Sequence, residues 1–407
     1  MIPFSPPRID EKIIAEVVDT LKSGWITTGP KTKLFEKKIN AYCGSQTVIA
    51  VNSATAGLEI VLRWFGIQQG DEVIIPAYTY CATANVIIHC GATPVMVDVN
   101  ADDFCISMEA IKKAITPHTK VIIPVDIAGF PCNYEAIMSL VHQPSIKSLF
   151  NAKTDEQKKL GRILILADAA HSFGARYHNQ KAGTLADITV FSFHAIKNLT
   201  TAEGGAIVLQ LPKTFDCEQL YRFFSVYTLH GQSKDALEKL QKGAWRYDVV
   251  NAGYKANMTD VLASIGLVEI DRYNDDTLLK RKHIFDIYQK AFKQYEWAQL
   301  PVFETEQSTS SYHLFLLRIK GINEQQRDEI IQHIFDKDVS VNVHFQPLPL
   351  FSVYKKMGYD INHYPVAYDN YKREISLPVY YDLTDEMLHT VIHAVIDSVN
   401  EVLNNVC

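Results

Sequence analysis

Two residues in the first half of the chain have types that could do chemistry on a carbonyl compound. Asp168 follows an apolar run, and Lys197 lies in a later loop, residues 191–205, that is rich in Ser, His, Thr and Gly. A lysine that forms a Schiff base needs a lowered pKa, which burial provides. A carboxylate at the carboxyl end of a parallel strand faces the crevice where α/β proteins bind ligands. Each residue also has an ordinary interpretation, Asp168 as a helix N-cap and Lys197 as a surface lysine.

Two further segments could hold the phosphate and the ring of a cofactor. Residues 53–57 place small and hydroxyl side chains at a predicted helix start, where backbone N–H groups and the helix dipole attract an anion. Residues 76–83 follow a predicted strand and contain two tyrosines, one of which could lie flat on a heteroaromatic ring. The alternatives are an ordinary capped helix and a core tyrosine.

The four signals together indicate one cofactor. Pyridoxal phosphate needs a phosphate site, a stacking aromatic ring, a carboxylate for its pyridinium nitrogen and a lysine for its aldehyde. The order of these groups along the chain also fits, because the carboxylate precedes the lysine with one predicted strand between them. The sequence therefore predicts a pyridoxal phosphate site.

Short apolar runs that alternate with helical patterns must position these groups. All-apolar runs of five or six residues suit strands that are buried on both faces, and the alternation with helices favours a largely parallel sheet. The predicted strands are residues 72–76, 94–99, 121–125 and 163–168, and the predicted helices are residues 10–22, 53–66 and 83–90.

The pattern changes after about residue 258, which predicts a second and smaller α+β domain. We expect a large cofactor-binding domain at residues 1–258, and a long connecting helix with the small domain at residues 259–407. Polar residues 151–160 are interpreted as a surface insertion. The expected elements of the second part are a helical stretch at 259–293, a strand at 313–318, a helix at 324–336, a strand at 339–345 and a helix at 384–404.

Composition excludes several classes of protein. Among 407 residues, 40 Lys and Arg stand against 46 Asp and Glu, and this net charge of −6 argues against a nucleic-acid-binding protein. No apolar run approaches the roughly 20 residues of a membrane span, and no signal peptide is visible. The seven cysteines form no CxxC pair, so we expect free thiols, no metal site and a cytoplasmic protein.

The chain resembles the sugar aminotransferases of the DegT/DnrJ/EryC1/StrS family, which are pyridoxal-phosphate enzymes of fold type I. The resemblance implies the aspartate aminotransferase-like α/β fold, with a large, mostly parallel sheet domain and a smaller α+β C-terminal domain. It covers nearly the whole chain, and the segments that carry it are residues 23–31, 53–57, 91–99, 191–205 and 253–260.

The resemblance implies a role for each matching residue near the cofactor ring. Lys197 would bond to the cofactor and shuttle protons, and Asp168 would hold the pyridinium proton. His171 would lie near the phenolic oxygen, and Tyr80 would stack on the ring.

The resemblance also implies a phosphate site and an active site that two subunits share. Ala54, Thr55 and Ser192 would hold the phosphate. Lys255 and Asn257 match a family loop that reaches the active site of the neighbouring subunit, which makes a homodimer the minimal catalytic unit. The alternative is that Asn257 caps the helix predicted after it.

The implied reaction is amination of a nucleotide-linked keto-sugar, with L-glutamate as amino donor, for lipopolysaccharide or surface polysaccharide. The strongest likeness is to family members that form UDP-4-amino-4-deoxy-L-arabinose, so we expect a UDP-4-keto-sugar. Asp126, where the family often has His, and the insertion near 148–160 leave a dTDP-linked or 3-keto-sugar open. Relatives that dehydrate sugars carry His in place of the lysine, so Lys197 argues against that chemistry. The same lysine and Asp168 argue against a non-catalytic protein of this fold.

Overall fold

The computed structural model describes residues 1–234 and 246–404. Its strands are numbered in chain order. They are β1 (Thr47–Val51), β2 (Glu72–Pro76), β3 (Thr93–Val97), β4 (Thr119–Ile122), β5 (Leu164–Asp168), β6 (Arg176–Tyr177), β7 (Gln180–Lys181), β8 (Ile188–Ser192), β9 (Gly205–Leu209), β10 (Ala298–Gln299), β11 (Ser308–Thr309), β12 (Phe315–Ile319) and β13 (Glu374–Leu377).

A seven-stranded sheet forms the centre of the large N-terminal part. Its strand order is β1-β9-β8-β5-β4-β2-β3, in which only β9 runs antiparallel to its neighbours. This arrangement confirms the predicted mostly parallel α/β sheet. The carboxyl ends of β5 and β8 therefore meet at one edge of the sheet, close to the start of the helix that follows β1.

The helices agree with the sequence patterns to within a few residues. All five helices predicted at 10–22, 53–66, 83–90, 324–336 and 384–404 are confirmed. The helices are α1 (Glu11–Ser23), α2 (Pro30–Cys43), α3 (Ala54–Trp64), α4 (Cys81–His89), α5 (Met108–Ala114), α6 (Tyr134–His142), α7 (Pro144–Lys147), α8 (Asp155–Leu160), α9 (Cys217–Tyr227), α10 (Asp260–Arg272), α11 (Leu278–Phe292), α12 (Glu324–Asp336), α13 (Ser352–Lys356), α14 (Pro365–Arg373) and α15 (Asp385–Asn404).

The C-terminal part has its own sheet and its own apolar core. The sheet has the order β10-β12-β13, and α11, α12 and α15 contribute to the core beside it. The helical stretch predicted at 259–293 is two helices, because one π-helical turn, Tyr273–Thr277, separates α10 from α11. The N-terminal segment packs on this part, since Ile2 N donates a 2.7 Å hydrogen bond to Asp338 O. The division at residue 258 stays a prediction.

The strand predicted at 339–345 is wrong. The segment makes only isolated bridges, from Val339 to Ile2 and from Asn342 to Ser376. Among the described residues, no strand pairing continues beyond Asn342 in this segment. His344 N donates to the carboxylate of Glu374 at 3.0 Å instead of to a backbone carbonyl of a neighbouring strand. The backbone here leaves the sheet and turns toward the edge where β5 and β8 end.

The polar segment 151–160, interpreted from the sequence as an insertion, is held in place by the rest of the fold. Its second half forms α8, and Gln157 is fully buried. Gln157 Nε2 donates to Phe65 O at 2.9 Å, and Lys153 Nζ pairs with Asp71 at 2.7 Å. These contacts anchor the segment on the side of the sheet where α3 ends.

Two kinds of feature are absent from the described residues. None of the helices placed in residues 1–234 and 246–404 is long and apolar enough to cross a membrane. Within the same ranges, no group of three or more His, Cys, Asp or Glu side chains is arranged to hold a metal ion.

Candidate active site

A cavity of about 340 Å³ opens where β5 and β8 end and α3 begins. It brings together seven of the nine residues that the sequence predicts for the site. These are Ala54, Thr55, Tyr80, Asp168, His171, Ser192 and Lys197. The sheet edge places Asp168, Ser192 and the lysine loop side by side, as the parallel topology requires.

Asp168 ends β5 and is only 6% exposed. Thr83 Oγ1 donates to Asp168 Oδ2 at 2.8 Å, and Ala170 N donates to Oδ1 at 3.3 Å. The N-cap interpretation is wrong, because residues 169–175 form turns and no helix begins there. Burial raises the pKa of Asp168, while the Thr83 hydrogen bond and the Lys197 charge oppose that rise.

Lys197 lies in the turn after β8 and lines the same cavity. Its backbone N–H donates to His194 O at 2.8 Å, which fixes the turn. Burial lowers the pKa of the ammonium group to about 8, although the Asp168 carboxylate opposes this shift. The residue is therefore not an ordinary surface lysine. At physiological pH, a larger fraction of its amine is neutral than in a lysine that is exposed to water.

The start of α3 supplies backbone donors to the cavity. Ser53 caps the helix, accepting from Ala56 N at 3.1 Å, so the ordinary cap is present. The N–H groups of Ala54 and Thr55 lie in the first turn, where they have no intrahelical acceptor. Gly205 permits this arrangement, because a Cβ there would lie 2.7 Å from Ala54 N. The helix start is thus both capped and open to an anion.

His171 presents a neutral ring to the cavity. Ala128 N donates to His171 Nδ1 at 3.2 Å, so the ring proton is on Nε2. Burial, together with the charge of Lys197, holds the pKa of His171 well below its usual value. Phe345 stacks on this ring with 5.7 Å between centroids.

The two tyrosines of residues 76–83 differ in environment. Tyr78 is fully buried, whereas Tyr80 is 59% exposed and lines the cavity. The core interpretation is therefore wrong for Tyr80, whose ring is free to contact a ligand.

Sequence reasoning missed three residues that line the cavity from the C-terminal part. They are His313, His344 and Phe345. His313 Nδ1 lies 2.8 Å from Asn198 Oδ1, which fixes that ring beside the lysine turn. One sequence signal was available, because His344 and Phe345 end a predicted strand, as Asp168 does. They are far along the chain from the other site residues, so the sequence provided no reason to assign them to the same site.

Lys255 and Asn257 do not line this cavity. Lys255 is exposed and its Nζ bonds to Asn257 Oδ1, while Asn257 Nδ2 donates to Thr28 Oγ1 at 2.5 Å. Asn257 does not cap a helix, because α10 begins at Asp260 and Thr259 occupies the cap position. Within one chain these two residues are outside the site.

Asp126 is also not a cavity residue. It is 1% exposed and accepts from Ser172 Oγ at 2.6 Å and from Tyr134 OH at 2.9 Å. Burial raises its pKa to about 6. Asp126, at the position where many relatives are expected to carry His, therefore holds Ser172, the residue next to His171, and does not line the cavity itself.

The arrangement fits pyridoxal phosphate. A partly buried amine and a buried carboxylate line one cavity, and the start of α3, Ser192 and the exposed ring of Tyr80 line the same cavity. This sheet topology and this cavity define a pyridoxal-phosphate-dependent enzyme of fold type I.

Comparisons with known proteins agree with that class. The chain belongs to the DegT/DnrJ/EryC1/StrS aminotransferase family, whose model matches residues 7–396. The cofactor is pyridoxal phosphate.

Solved structures and curated proteins are similar over nearly the full chain. The Streptococcus pneumoniae protein Spr1654, described as a candidate sugar aminotransferase, is 44% identical in its PLP-form, with a TM-score of 0.94 over 98% of this chain and 99% of that one. Helicobacter pylori PseC, an aminotransferase involved in the biosynthesis of pseudoaminic acid, is 27% identical, with a TM-score of 0.84 over 98% and 99% of the two chains. The spore coat polysaccharide biosynthesis protein SpsC of Bacillus subtilis is 36% identical over 98% of this chain and 97% of SpsC.

Proposed function

We propose that this enzyme transfers an amino group from L-glutamate to a nucleotide-linked keto-sugar, a UDP-4-keto-sugar, during synthesis of lipopolysaccharide or another surface polysaccharide. The observation that carries the proposal is that Lys197 and Asp168 face one cavity in a chain of an aminotransferase family. The relatives named for sugar chemistry, polysaccharide synthesis and pseudoaminic acid support the sugar substrate. The cytoplasmic location stays a prediction.

Lys197 acts as the nucleophile and the proton carrier. Its lowered pKa leaves part of the amine neutral, and a neutral amine can bond to the aldehyde of the cofactor. With cofactor and substrate bound, Lys197 would take the proton from the α-carbon of the amino acid and would later return a proton to the carbon of the sugar. The bound cofactor supplies an electron sink for this proton transfer.

Asp168, His171 and Tyr80 hold the ring of the cofactor. The Asp168 carboxylate keeps a proton on the ring nitrogen, and its bond from Thr83 orients it. His171 would offer its Nε2–H group to the phenolic oxygen, because Nδ1 is occupied by Ala128 N. The exposed ring of Tyr80 would provide an aromatic surface for the ring of the cofactor.

The helix start and a second subunit bind the anionic groups. The Ala54 and Thr55 N–H groups and the Ser192 hydroxyl hold the phosphate of the cofactor. Lys255 and Asn257 reach the active site of the partner in a homodimer, where an ammonium and an amide suit phosphate oxygens. Neither residue lines the cavity of its own chain, and Lys255 is exposed, which supports this assignment.

The main alternatives are amination of a dTDP-linked or 3-keto-sugar, and sugar dehydration. The presence of Lys197 favours transamination over dehydration. The test is a panel of UDP- and dTDP-linked 3-keto- and 4-keto-sugars, each incubated with the holoenzyme with and without L-glutamate and analysed by mass spectrometry. We expect an aminated UDP-4-keto-sugar only with glutamate and not with Lys197→Ala. A product that forms without an amino donor would contradict the proposal.

A further inference from the structure

Three polar groups of His344 are held by partners outside the cavity. His344 N donates to Glu374 Oε2 at 3.0 Å, and His344 O accepts from Tyr78 OH at 2.7 Å. His344 Nδ1 lies 2.9 Å from Ser376 Oγ. The ring lines the cavity, and among the residues that the structure describes no side chain bonds to its Nε2. Nε2 is therefore the atom that His344 offers to a ligand.

Ser376 connects this ring to a buried carboxyl group. Ser376 Oγ lies 2.6 Å from Glu374 Oε1, and both residues are fully buried. A hydroxyl has a single proton, so Ser376 can donate to only one of its two neighbours. When Glu374 is ionised, Ser376 donates to it and accepts from His344 Nδ1–H, which leaves Nε2 without a proton. When Glu374 is protonated, it donates to Ser376, Ser376 donates to Nδ1, and the ring proton is on Nε2.

We propose that Glu374, acting through Ser376, sets which nitrogen of His344 carries the ring proton, and that the Nε2–H form donates to the carboxylate of the amino-acid substrate. This inference rests on the proposed transamination. The carbon that bears the amine must lie beside Lys197, and an α-carboxylate is one bond from that carbon. His344 lines the same cavity as Lys197, so its Nε2–H group is a neutral donor available to that carboxylate.

The charges around the relay determine the pH at which it switches. Burial raises the pKa of Glu374 to about 8, although the bonds from Ser376 and His344 N and the charges of Arg327 and Arg318 oppose the rise. The phenol of Tyr78 also faces Glu374 and stays protonated, because burial raises its pKa.

The ring of His344 stays neutral over the same range. Burial and the nearby Lys197 charge lower its pKa to about 4. Two further histidines of the cavity, His171 and His313, are also held neutral by burial. When the pH rises through about 8, Nε2 therefore releases its proton to water. At the same time the proton of Glu374 moves to Ser376, and the proton of Ser376 moves to Nδ1 of His344.

Nitrogen NMR of the holoenzyme labelled with ¹⁵N-histidine tests the tautomer directly, with His344→Asn used to assign the signals. We expect the proton on Nε2 below pH about 8 and on Nδ1 above it. In Glu374→Gln, the amide donates to Ser376 and its oxygen accepts from His344 N, so the proton should stay on Nε2 at every pH. A single tautomer throughout in the wild type, or a wild-type titration in Glu374→Gln, would overturn the relay.

The affinity for L-glutamate tests the second half of the proposal. Losing a hydrogen bond to a charged group weakens binding by about tenfold or more. We expect that loss between pH 7 and pH 9 in the wild type and not in Glu374→Gln, measured from the absorbance change of the cofactor. Equal pH dependence in the two proteins would refute it.

Two outcomes separate this inference from the proposed function. If no protein responds to L-glutamate, the assigned amino donor is wrong, and the NMR experiment still decides the relay. If Glu374→Gln does not fold, Ser376→Ala takes its place in the experiment. Removing the Ser376 hydroxyl breaks the relay, so the tautomer of His344 in Ser376→Ala should not respond to the ionisation of Glu374. A pH-dependent switch in Ser376→Ala would exclude the relay.

Discussion

Thr83 Oγ1 donates a 2.8 Å hydrogen bond to Asp168 Oδ2, and both residues are buried. This bond joins α4 to the end of β5 and lowers the pKa of the carboxyl group against the effect of burial. The bond thereby favours the ionised form of Asp168 and fixes the orientation of the carboxylate at the cavity. Thr79 lies behind it, with its Oγ1 3.0 Å from Thr83 Oγ1.

Thr83→Val should lower kcat by roughly tenfold to a hundredfold, because a hydrogen bond to a charged group contributes about 1.5–3 kcal/mol. Cofactor should still bind, since the phosphate site is untouched. Thr79→Val is the matched control and should have the smaller effect, because Thr79 does not contact Asp168. Steady-state kinetics of both variants measures this, and a larger loss in Thr79→Val would contradict the role of Thr83.

Asp168→Asn should bind cofactor and lose activity by roughly a hundredfold to a thousandfold, as expected for a lost electrostatic contact to the reacting system. An amide cannot stabilise a protonated pyridine nitrogen as a carboxylate does. The measurement is single-turnover kinetics with L-glutamate, beside the absorbance spectrum of the bound cofactor. Near-normal turnover would show that Asp168 has only a structural role.

Lys197→Ala should abolish transamination and leave the fold intact. Borohydride reduction of the wild-type holoenzyme should fix the cofactor on a single lysine, which peptide mapping identifies. We expect the label on Lys197, because it is the lysine that lines the cavity beside Asp168. A label on Lys255 or any other lysine would overturn the catalytic assignment.

The rate at which the apoprotein captures pyridoxal phosphate should rise with pH, reach half of its maximum near pH 8 and level off above that pH. The neutral amine reacts, and burial lowers the pKa of Lys197 to about 8, so the neutral form predominates above that pH. An unperturbed lysine, with a pKa of about 10.4, would keep rising to pH 10. Stopped-flow absorbance over pH 6 to 10 distinguishes the two profiles.

Mixed dimers test the contribution of Lys255 and Asn257 to the neighbouring active site. Mixing Lys197→Ala with a Lys255/Asn257 double alanine variant should restore part of the activity after subunit exchange. In a shared site, one cavity of the mixed dimer carries both defects and the other carries neither. If exchange is demonstrated and both parent proteins bind cofactor, an inactive mixture would show that this segment does not act across subunits.

The central sheet was predictable because its strands are buried on both faces. A strand such as β5 has no polar position in its interior, so residues 163–167 read as strand without any tertiary information. Residues 339–345 place an apolar side chain at every second position, and the strand predicted there is wrong. There the N–H group of His344 bonds to the Glu374 carboxylate, and no local pattern reports a partner 30 residues away.

The sequence by itself predicted residues that the structure brings to one cavity, because Asp168 ends a strand, Ala54 begins α3 and Lys197 follows β8, and the local patterns of these elements are strong. Parallel strands then place those ends at one edge of the sheet. Only the tertiary structure decided what surrounds them. The environment of His344 depends on Ser376 and Glu374, and the position of Lys255 outside its own cavity depends on how its segment packs. Burial and hydrogen-bond geometry are properties of the packed chain, and they set the pKa values and tautomers on which the chemistry depends.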